Sequence, residues 1–297
     1  MNLILIPYFF FLIVWLYVLY KNPYFLTGPP MVQEFKYSSD GYKGGKIPKI
    51  IYTYWNDPEN IPETVVKCID SWKRYNPDYK IMIIDSKNIR DFIPFDITKL
   101  KYAVSQQKIA DFLRIYLLAK NGGIWLDSTI YLNHDLDWIN EYQINENSEY
   151  VGYYLDEFTT NKNFPVIENW FMACIPGSKF MKNWCDEFFH INDFDTIKDY
   201  IKSIEKTTDF QNIDSTEYLT MHCCAQKVLQ NSQDGDRYSL SLLIAEKGPF
   251  LYNVYGGWWK IIAIPKYFMC DFLHTPVVKF RGGERNFIEQ SGFYNFL

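Results

Sequence analysis

The most constraining feature of this sequence is an alternation of strand-like and helix-like segments. The helix-like segments repeat apolar residues at a spacing of three and four, whereas the strand-like segments are short and continuously apolar. In chain order they are a strand at 49–54, a helix at 62–75, a strand at 79–85, a helix at 105–121 and a strand at 124–126. This order predicts an α/β fold with parallel strands.

Two aspartates, Asp85 and Asp127, stand at the ends of predicted strands. Ligands of such sheets bind beyond the carboxyl ends of the strands. A carboxylate there can hold Mg²⁺ or Mn²⁺ against a diphosphate, since these ions prefer oxygen ligands. Asp127 can equally cap the next turn together with Ser128 and Thr129. The spacing alone leaves both interpretations of Asp127 open.

Asp111 and Arg114 are three residues apart in the predicted helix at 105–121, so they share a face opposite its apolar stripe. One interpretation is a surface ion pair worth less than ~1 kcal/mol. The other is a pair of ligand-binding side chains near the end of the sheet. Gly122 and Gly123 end the helix and allow a tight turn into the strand that precedes Asp127.

Composition excludes some classes of function. The formal net charge is −5 and the pI is about 5.5, which argues against a nucleic-acid partner bound through a basic face. Aromatic residues make up 19% of the chain. Sugars stack on aromatic faces, but the joint excess of Phe, Tyr, Ile, Asn and Lys is also what an AT-rich gene imposes. The six cysteines form no C-x-x-C pair, which predicts no zinc site and favours free, buried thiols.

Residues 3–20 contain no charge and are long enough to span a hydrocarbon core of ~30 Å. A signal peptide and a buried helix are the alternatives, but no basic start or small-residue cleavage site is visible. We therefore predict a transmembrane anchor at 1–21, a linker at 22–46 rich in Gly and Pro, and a catalytic domain at 47–297. Lysines follow the span, so the positive-inside rule places the domain on the cytoplasmic side.

Several motifs resemble one family when they are taken together. They are IPKIIYTYW at 47–55, CIDSWKRYNP at 68–77, Asp111 and Arg114 followed by GGIWLD at 122–127, and ENWFMA at 168–173. This set is similar to the capsular polysaccharide synthesis proteins. These belong with the glycosyltransferases that have a sugar-binding D-x-D region, such as the fungal initiating mannosyltransferases and the large glucosylating toxins. The resemblance covers residues 47–190 well and the C-terminal third weakly.

The resemblance implies a GT-A fold, the Rossmann-like fold of nucleotide-diphospho-sugar transferases, and a hexosyltransferase that retains anomeric configuration. It implies a nucleoside-diphosphate sugar donor, a glycan acceptor and Mn²⁺ or Mg²⁺. Trp55 would stack on the nucleotide base, and Asp111 and Arg114 would bind hydroxyls of the donor. Asp127 would be the first acid of the D-x-D and a ligand of the metal. Thr129 replaces the second acid, which removes one charged ligand, and it would reach the metal or a phosphate through its hydroxyl.

The same resemblance suggests roles for later residues. Asn169 would lie near the reacting face of the donor sugar, or else it caps a loop. His274 would return to the metal, and Lys279 or Arg281 would contact the diphosphate. The remaining candidates are Trp258 and Trp259, which would line an acceptor groove or belong to the core. Asp156 and Glu157 would be acidic residues on the acceptor side or, as we interpret them, charges of a surface loop.

Two other classes of function remain open. A catalytically inactive membrane protein that binds nucleotide sugars or glycans is one, because D-S-T stands in place of D-x-D. A metal-dependent phosphoryl-transfer enzyme is the other, although the sequence has no G-K-[ST] phosphate loop.

Overall fold

The computed structural model describes residues 12–13, 16–17, 33–37, 45–231, 238–255, 258–259 and 275–297. The strands in this part of the chain are β1 (Gln33–Tyr37), β2 (Ile50–Tyr54), β3 (Lys80–Ile84), β4 (Gly123–Leu126), β5 (Ile130–Leu132), β6 (Tyr150–Leu155), β7 (Val166–Cys174), β8 (Leu240–Ile244) and β9 (Val277–Lys279). Its helices are α1 (Glu63–Tyr75), α2 (Ile89–Phe92), α3 (Gln106–Asn121), α4 (Asp137–Asn145), α5 (Lys179–His190), α6 (Ile197–Ile204), α7 (Thr220–Gln230), α8 (Leu251–Tyr255) and α9 (Gly282–Ser291).

Seven of these strands form one mixed sheet in the order β1-β8-β6-β7-β4-β2-β3. β2 pairs in parallel with β3 and with β4, as the sequence predicts. β7 runs antiparallel to both β4 and β6, which the sequence did not indicate. The α/β class is confirmed, and the expectation of parallel strands holds for β3, β2 and β4 but not for β7. Since β2 and β4 are parallel neighbours, the residues that follow them lie at one edge of the sheet.

Both faces of the sheet are covered, which explains the continuous apolar runs of its central strands. Successive side chains of β4 belong to opposite layers. Trp125 packs into the core beneath α3 and α5, with Phe112 and Phe188, whereas Ile124 and Leu126 pack into the core beneath α1. The sheet therefore lies between two layers of helices and fixes the position of any residue directly after β4.

The turn from α3 into β4 requires glycine. Ser105 caps the start of α3 by accepting from the backbone N–H of Lys108, and Gly122 is the C-cap that follows the last helical residue, Asn121. Gly122 has a φ of 65° and Gly123 a φ of 105°, in the region that disfavours other residues. A Cβ on Gly122 would lie 2.5 Å from the backbone nitrogen of Pro176. This turn sets where β4 starts, and hence where Asp127 lies.

A two-stranded ladder returns the C-terminal segment to the sheet edge. β5 and β9 pair antiparallel, with Ile130 opposite Lys279. The helix after β9 then packs on α1, where the Glu289 carboxylate accepts from the backbone N–H groups of Glu63 and Thr64 at 3.1 and 2.9 Å. Glu289 caps α1 from a distant part of the sequence, since no side chain at Pro62 can do so.

The structure differs from the predicted domain boundaries in one segment. Residues 33–37 were assigned to the linker, but they form β1 and pair with β8 at the edge of the sheet. An edge strand has only one neighbour, so it needs no apolar run of the kind that marks β2 or β4. Most of the predicted anchor at 1–21 lies outside the described residues and stays a prediction. None of the helices in the described ranges is long and apolar enough to cross a membrane.

Five of the cysteines lie in the described part of the chain. They are free thiols, and all are buried, as predicted: Cys68, Cys174, Cys185, Cys223 and Cys224. Burial raises the pKa of Cys185 and of Cys223 to about 12, so these thiols stay protonated at neutral pH. They are part of the packing and not of the charged site described below.

Candidate functional site

Asp127 follows β4 directly and is the centre of a cluster of charged side chains. Its backbone N–H donates to the carbonyl of Trp170 at 2.9 Å. Its Oδ1 accepts from Trp125 Nε1 at 3.0 Å and lies 3.2 Å from an Arg114 guanidinium nitrogen, while its Oδ2 accepts from Lys279 Nζ at 2.7 Å. Burial acts to raise the pKa of Asp127, but the charges of Arg114 and Lys279 outweigh it and the pKa is lowered. The carboxylate is therefore ionised and held by two cations.

Arg114 connects Asp127 to Asp111. Its guanidinium lies 3.2 Å from Asp127 Oδ1 and 3.5 Å from Asp111 Oδ1, and it donates to the carbonyl of Asn169 at 2.6 Å. Its side chain is only 6% exposed and lies over the Trp125 ring. The interpretation of Asp111 and Arg114 as a surface ion pair is wrong, because the α3 face opposite the apolar stripe packs against the end of the sheet.

Asp111 has a different environment from Asp127, although both contact Arg114. Asn169 Nδ2 donates to Asp111 Oδ1 at 3.2 Å, and Lys108 Nζ lies 3.8 Å from Oδ2. Burial raises the pKa of Asp111, and the charges of Arg114 and Lys108 offset this only in part. The structure thus brings four of the predicted site residues into one cluster: Asp111, Arg114, Asp127 and Asn169.

Lys279 and Thr129 complete the cluster on the side of the β5–β9 ladder. Lys279 Nζ donates to Thr129 Oγ1 at 3.0 Å as well as to Asp127 Oδ2. The backbone N–H of Phe280 donates to the Thr129 carbonyl at 3.0 Å, and that of Lys279 to the Pro249 carbonyl at 3.1 Å. The ladder therefore carries the lysine onto the D-S-T turn, across 150 residues of sequence.

The donor atoms at this turn do not fit a divalent cation in the arrangement that the structure has. Asp127 Oδ2 and Thr129 Oγ1 already accept from one ammonium group, and Arg114 lies against the other Asp127 oxygen. Among the described residues, no three His, Cys, Asp or Glu side chains lie close enough together to hold a metal. His274, the further predicted metal ligand, lies outside the described residues.

Trp55 follows β2 at the same sheet edge as Asp127. Its indole Nε1 donates to the carbonyl of Asn60 at 3.2 Å. The Arg285 guanidinium, from the C-terminal helix α9, lies 5.5 Å from the centroid of its ring. The ring is partly buried, and its role as a platform for the nucleotide base stays a prediction.

The other aromatic and basic candidates have partners outside the Asp127 cluster. Arg281 makes a two-pronged contact with the Glu284 carboxylate and lies over the Trp258 ring at 4.6 Å. Trp258 packs against Phe250 and belongs to the core beneath α1, whereas Trp259 is 70% exposed. Of the two tryptophans, only Trp259 presents a mostly exposed ring.

The three other acidic candidates cap a turn or lie in a surface loop. Asp85 Oδ1 accepts from the backbone N–H groups of Lys87 and Asn88 at 2.7 and 3.1 Å, so it caps the turn after β3. Asp156 pairs with Lys162 in a surface loop. Glu157 lies beside Asp156 in the same loop and is exposed, which supports the interpretation of both as loop charges.

Sequence reasoning missed a buried pair next to this cluster. His222 on α7 lies 3.1 Å from Glu168 Oε2, and both side chains are less than 10% exposed. The pair adjoins the cluster, because Asn169 follows Glu168 in β7 and its Nδ2 lies 3.2 Å from the sulfur of Met221, the residue before His222. Glu168 belongs to the ENWFMA motif, which was a signal for its importance, but nothing near His222 in sequence indicated its partner.

A comparison with known protein families shows which family the chain belongs to. The model of the family described as "Capsular polysaccharide synthesis protein" matches residues 32–205, more than half of the chain. The chain belongs to this family. The match includes β1, which supports starting the domain before residue 47. It also spans Asp111, Arg114, Asp127 and Asn169, but not the segment of Lys279.

Curated relatives cover smaller parts of the chain. Inositol phosphoceramide mannosyltransferase 3 of Schizosaccharomyces pombe is 31% identical over 142 residues, which are 42% of this chain and 40% of that protein. O-glycosyltransferase braB of Annulohypoxylon truncatum is 25% identical over 157 residues, 47% of this chain and 37% of that protein. The chain thus spans about two fifths of the length of these relatives.

A solved structure with a distant likeness is a glycosyltransferase involved in glycosylation of the major capsid of PBCV-1. The two share 12% sequence identity with a TM-score of 0.44, over 84% of this chain and 98% of that one. This likeness is too distant to assign the fold.

Proposed function

We propose that this chain is a glycosyltransferase that moves a sugar from a nucleoside-diphosphate sugar to a glycan acceptor. Its family membership and the names of both curated relatives support this class of reaction. We further propose that the mixed sheet with helices on both faces is a GT-A fold. The single observation that carries the proposal is the cluster of Asp127, Arg114 and Lys279 at the end of β4, where α/β sheets bind ligands.

The reaction makes a specific electrostatic demand. The bond between the anomeric carbon and the diphosphate oxygen breaks, and its electron pair stays on that oxygen. The acceptor oxygen forms the new bond to carbon, and its proton passes to the departing diphosphate. Fixed cations near that leaving group favour its departure. Lys279 is the cation that we assign to this role, with Arg114 as the residue that holds Asp127 in place.

Other residues of the cluster would bind the donor. In this proposal Trp55 stacks on the base at the same sheet edge, and Asp111 contacts hydroxyls of the donor. Asn169 lies near the reacting face of the sugar, since its side chain already contacts Asp111 at 3.2 Å. These contacts would contribute by positioning the donor. Retention of configuration is an expectation carried by the resemblance.

Residues 1–21 would attach the enzyme to a membrane, with the catalytic domain on the cytoplasmic side. The support for this proposal is the uncharged run at 3–20 and the lysines that follow it.

A screen of labelled nucleotide sugars tests the proposed function. The purified full-length chain is incubated with UDP-linked and GDP-linked hexoses, with and without detergent-extracted glycans, and with and without Mn²⁺. We expect release of the nucleoside diphosphate from one donor and transfer of its label to glycan. Binding of a donor without turnover would support an inactive sugar-binding protein, and neither binding nor turnover would reject both.

A further inference from the structure

We propose that the ammonium group of Lys279 stands where a divalent metal ion would otherwise lie, so that sugar transfer by this chain needs no metal. This inference rests on the proposed function. The two oxygens that the D-S-T turn could offer to a metal are Asp127 Oδ2 and Thr129 Oγ1. Lys279 Nζ lies 2.7 Å from the first and 3.0 Å from the second, which is hydrogen-bond distance to both.

The charge at this position favours an ammonium over a divalent ion. Asp127 is the one carboxylate of the turn, because residue 129 is a threonine. One carboxylate balances one ammonium, and Arg114 contributes a second positive charge 3.2 Å from the other Asp127 oxygen. A divalent cation added between these groups would meet two like charges at short range and only one negative ligand.

The position of Lys279 is fixed by backbone and packing. It is opposite Ile130 in the β5–β9 ladder, and its own N–H donates to the Pro249 carbonyl. The residues on either side, Val278 and Phe280, are buried in a small core with Ile288 of α9. A side chain anchored in this way needs no reorganisation when charge develops, which is what makes a fixed cation effective.

The lysine also has capacity for a ligand. An ammonium has three N–H donors, and two of them are used by Asp127 and Thr129. The third has no partner in the part of the chain that the structure describes, and we assign it to an oxygen of the donor's diphosphate. Asp127 then acts as a positioning residue, because it orients the ammonium and does not itself touch the diphosphate.

The wild-type full-length chain provides the direct test, since it needs no variant. Turnover of the donor identified by the screen is measured in excess EDTA and in Mn²⁺. We expect the same rate in both. A rate that disappears in EDTA and returns with Mn²⁺ would overturn the inference while leaving the proposed function intact.

A variant tests the role of the lysine. Lys279→Met should lower kcat by about 100-fold or more, the usual effect of removing one fixed donor to a developing oxyanion. The matched control is Lys202→Met, at an exposed position on α6, which should keep the wild-type rate. A Lys279→Met enzyme that is folded and as active as wild type would contradict the assignment. Thermal unfolding monitors folding of both variants.

Binding of Mn²⁺ alone gives a readout that does not depend on activity. The chain is titrated with Mn²⁺ and free ion is followed by electron paramagnetic resonance, for wild type and for Asp127→Asn. We expect equal and negligible binding by both. If wild type binds Mn²⁺ and Asp127→Asn does not, the inference fails. If no donor is turned over at all, the proposed function fails, and this titration alone decides between Lys279 and a metal.

Discussion

The middle of α3 and the end of β4 each place one carboxylate against the same arginine, but the pKa values of the two carboxyl groups shift in opposite directions. Asp111 and Asp127 both contact Arg114, but the pKa of Asp111 is raised and that of Asp127 is lowered. Asp127 has a second cation in direct contact, Lys279 at 2.7 Å, whereas the second cation near Asp111 is Lys108 at 3.8 Å.

The difference shows how contact geometry decides the effect of burial. Burial acts to raise the pKa of either carboxyl. At Asp127 the charges of Arg114 and Lys279, together with the hydrogen bonds from Lys279 and Trp125, outweigh it. At Asp111 the cations lie farther away, with Arg114 3.5 Å from Oδ1 and Lys108 3.8 Å from Oδ2. The effect of burial on the pKa therefore exceeds theirs. The lowered pKa of Asp127 suits a residue that holds Lys279 as a carboxylate, and the raised pKa of Asp111 suits contact with sugar hydroxyls.

Removing the shared partner should have the largest effect on stability. Arg114→Met leaves both Asp111 and Asp127 buried with one cation fewer. We expect the free energy of unfolding to fall by about 3–5 kcal/mol, as when one member of a buried ion pair is removed. Urea denaturation measures this. Arg90→Met is the matched control, because that side chain is 80% exposed, and it should unfold like wild type.

Neutralising each carboxylate separately tests the comparison itself. Asp127→Asn places an amide N–H₂ against donors from Arg114, Trp125 or Lys279, so it should cost about 3 kcal/mol. Asp111→Asn removes a charge whose pKa is already raised, and should cost about 1 kcal/mol. Equal costs in urea denaturation would mean that the two environments do not differ. Asp195→Asn, at a fully exposed side chain, is the control.

The pH dependence of these costs should have opposite signs. A lowered folded-state pKa means that Asp127 stabilises the protein above its unfolded pKa of about 3.9 and loses this as pH falls through the folded value. The cost of Asp127→Asn should therefore shrink in acid. Asp111 has a raised folded-state pKa, so protonation relieves a penalty as pH falls from neutral, and the cost of Asp111→Asn should grow. Unfolding midpoints between pH 7 and pH 3 give both trends.

Lys108→Met should have the smallest effect. Its Nζ lies 3.8 Å from Asp111 and contacts no other carboxylate of the cluster in the described residues. We expect a loss of no more than about 1 kcal/mol, because the 3.8 Å contact is too long for a hydrogen bond and the bond of Lys108 to the Tyr218 carbonyl is exposed to water. The pKa of Asp111, measured by carbon NMR of the carboxyl group, should rise further, while that of Asp127 should not move. A shift of both would show that the two regions are coupled more strongly than their contacts indicate.

The parts of the fold that local patterns encode could be predicted from the sequence. The apolar pattern of the sequence predicts the strands β2, β3 and β4 and the helix α3. The position of Gly122 directly after the helical pattern predicts the end of that helix. The antiparallel β7 could not be predicted, because its direction depends on partners rather than on its own residues. β1 was missed because an edge strand carries no strong apolar signal.

The same distinction applies to the site: residues marked by a local pattern could be found, and contacts made by distant segments could not. Asp127 could be found because it follows a strand, and Asp111 and Arg114 because they share a helical face. Their burial was not visible, since it comes from the packing of α3 against β7. The contact of Lys279 with Thr129 spans 150 residues and depends on the β5–β9 ladder, for which neither short strand gives a signal. The interaction of Glu168 with His222 could not be predicted either, because the two residues are 54 positions apart and meet only when α7 packs on β7.

The most direct test of the central claim compares transfer of labelled sugar by wild type and by Asp127→Asn, with Asp195→Asn as the control. The donor is the one that wild type turns over, and both variants are first shown to be folded. We predict that Asp127→Asn lowers kcat by about 100-fold or more, because Lys279 loses its counter-ion and its orientation at the leaving group, while Asp195→Asn keeps the wild-type rate. A folded Asp127→Asn enzyme with full activity would contradict the account.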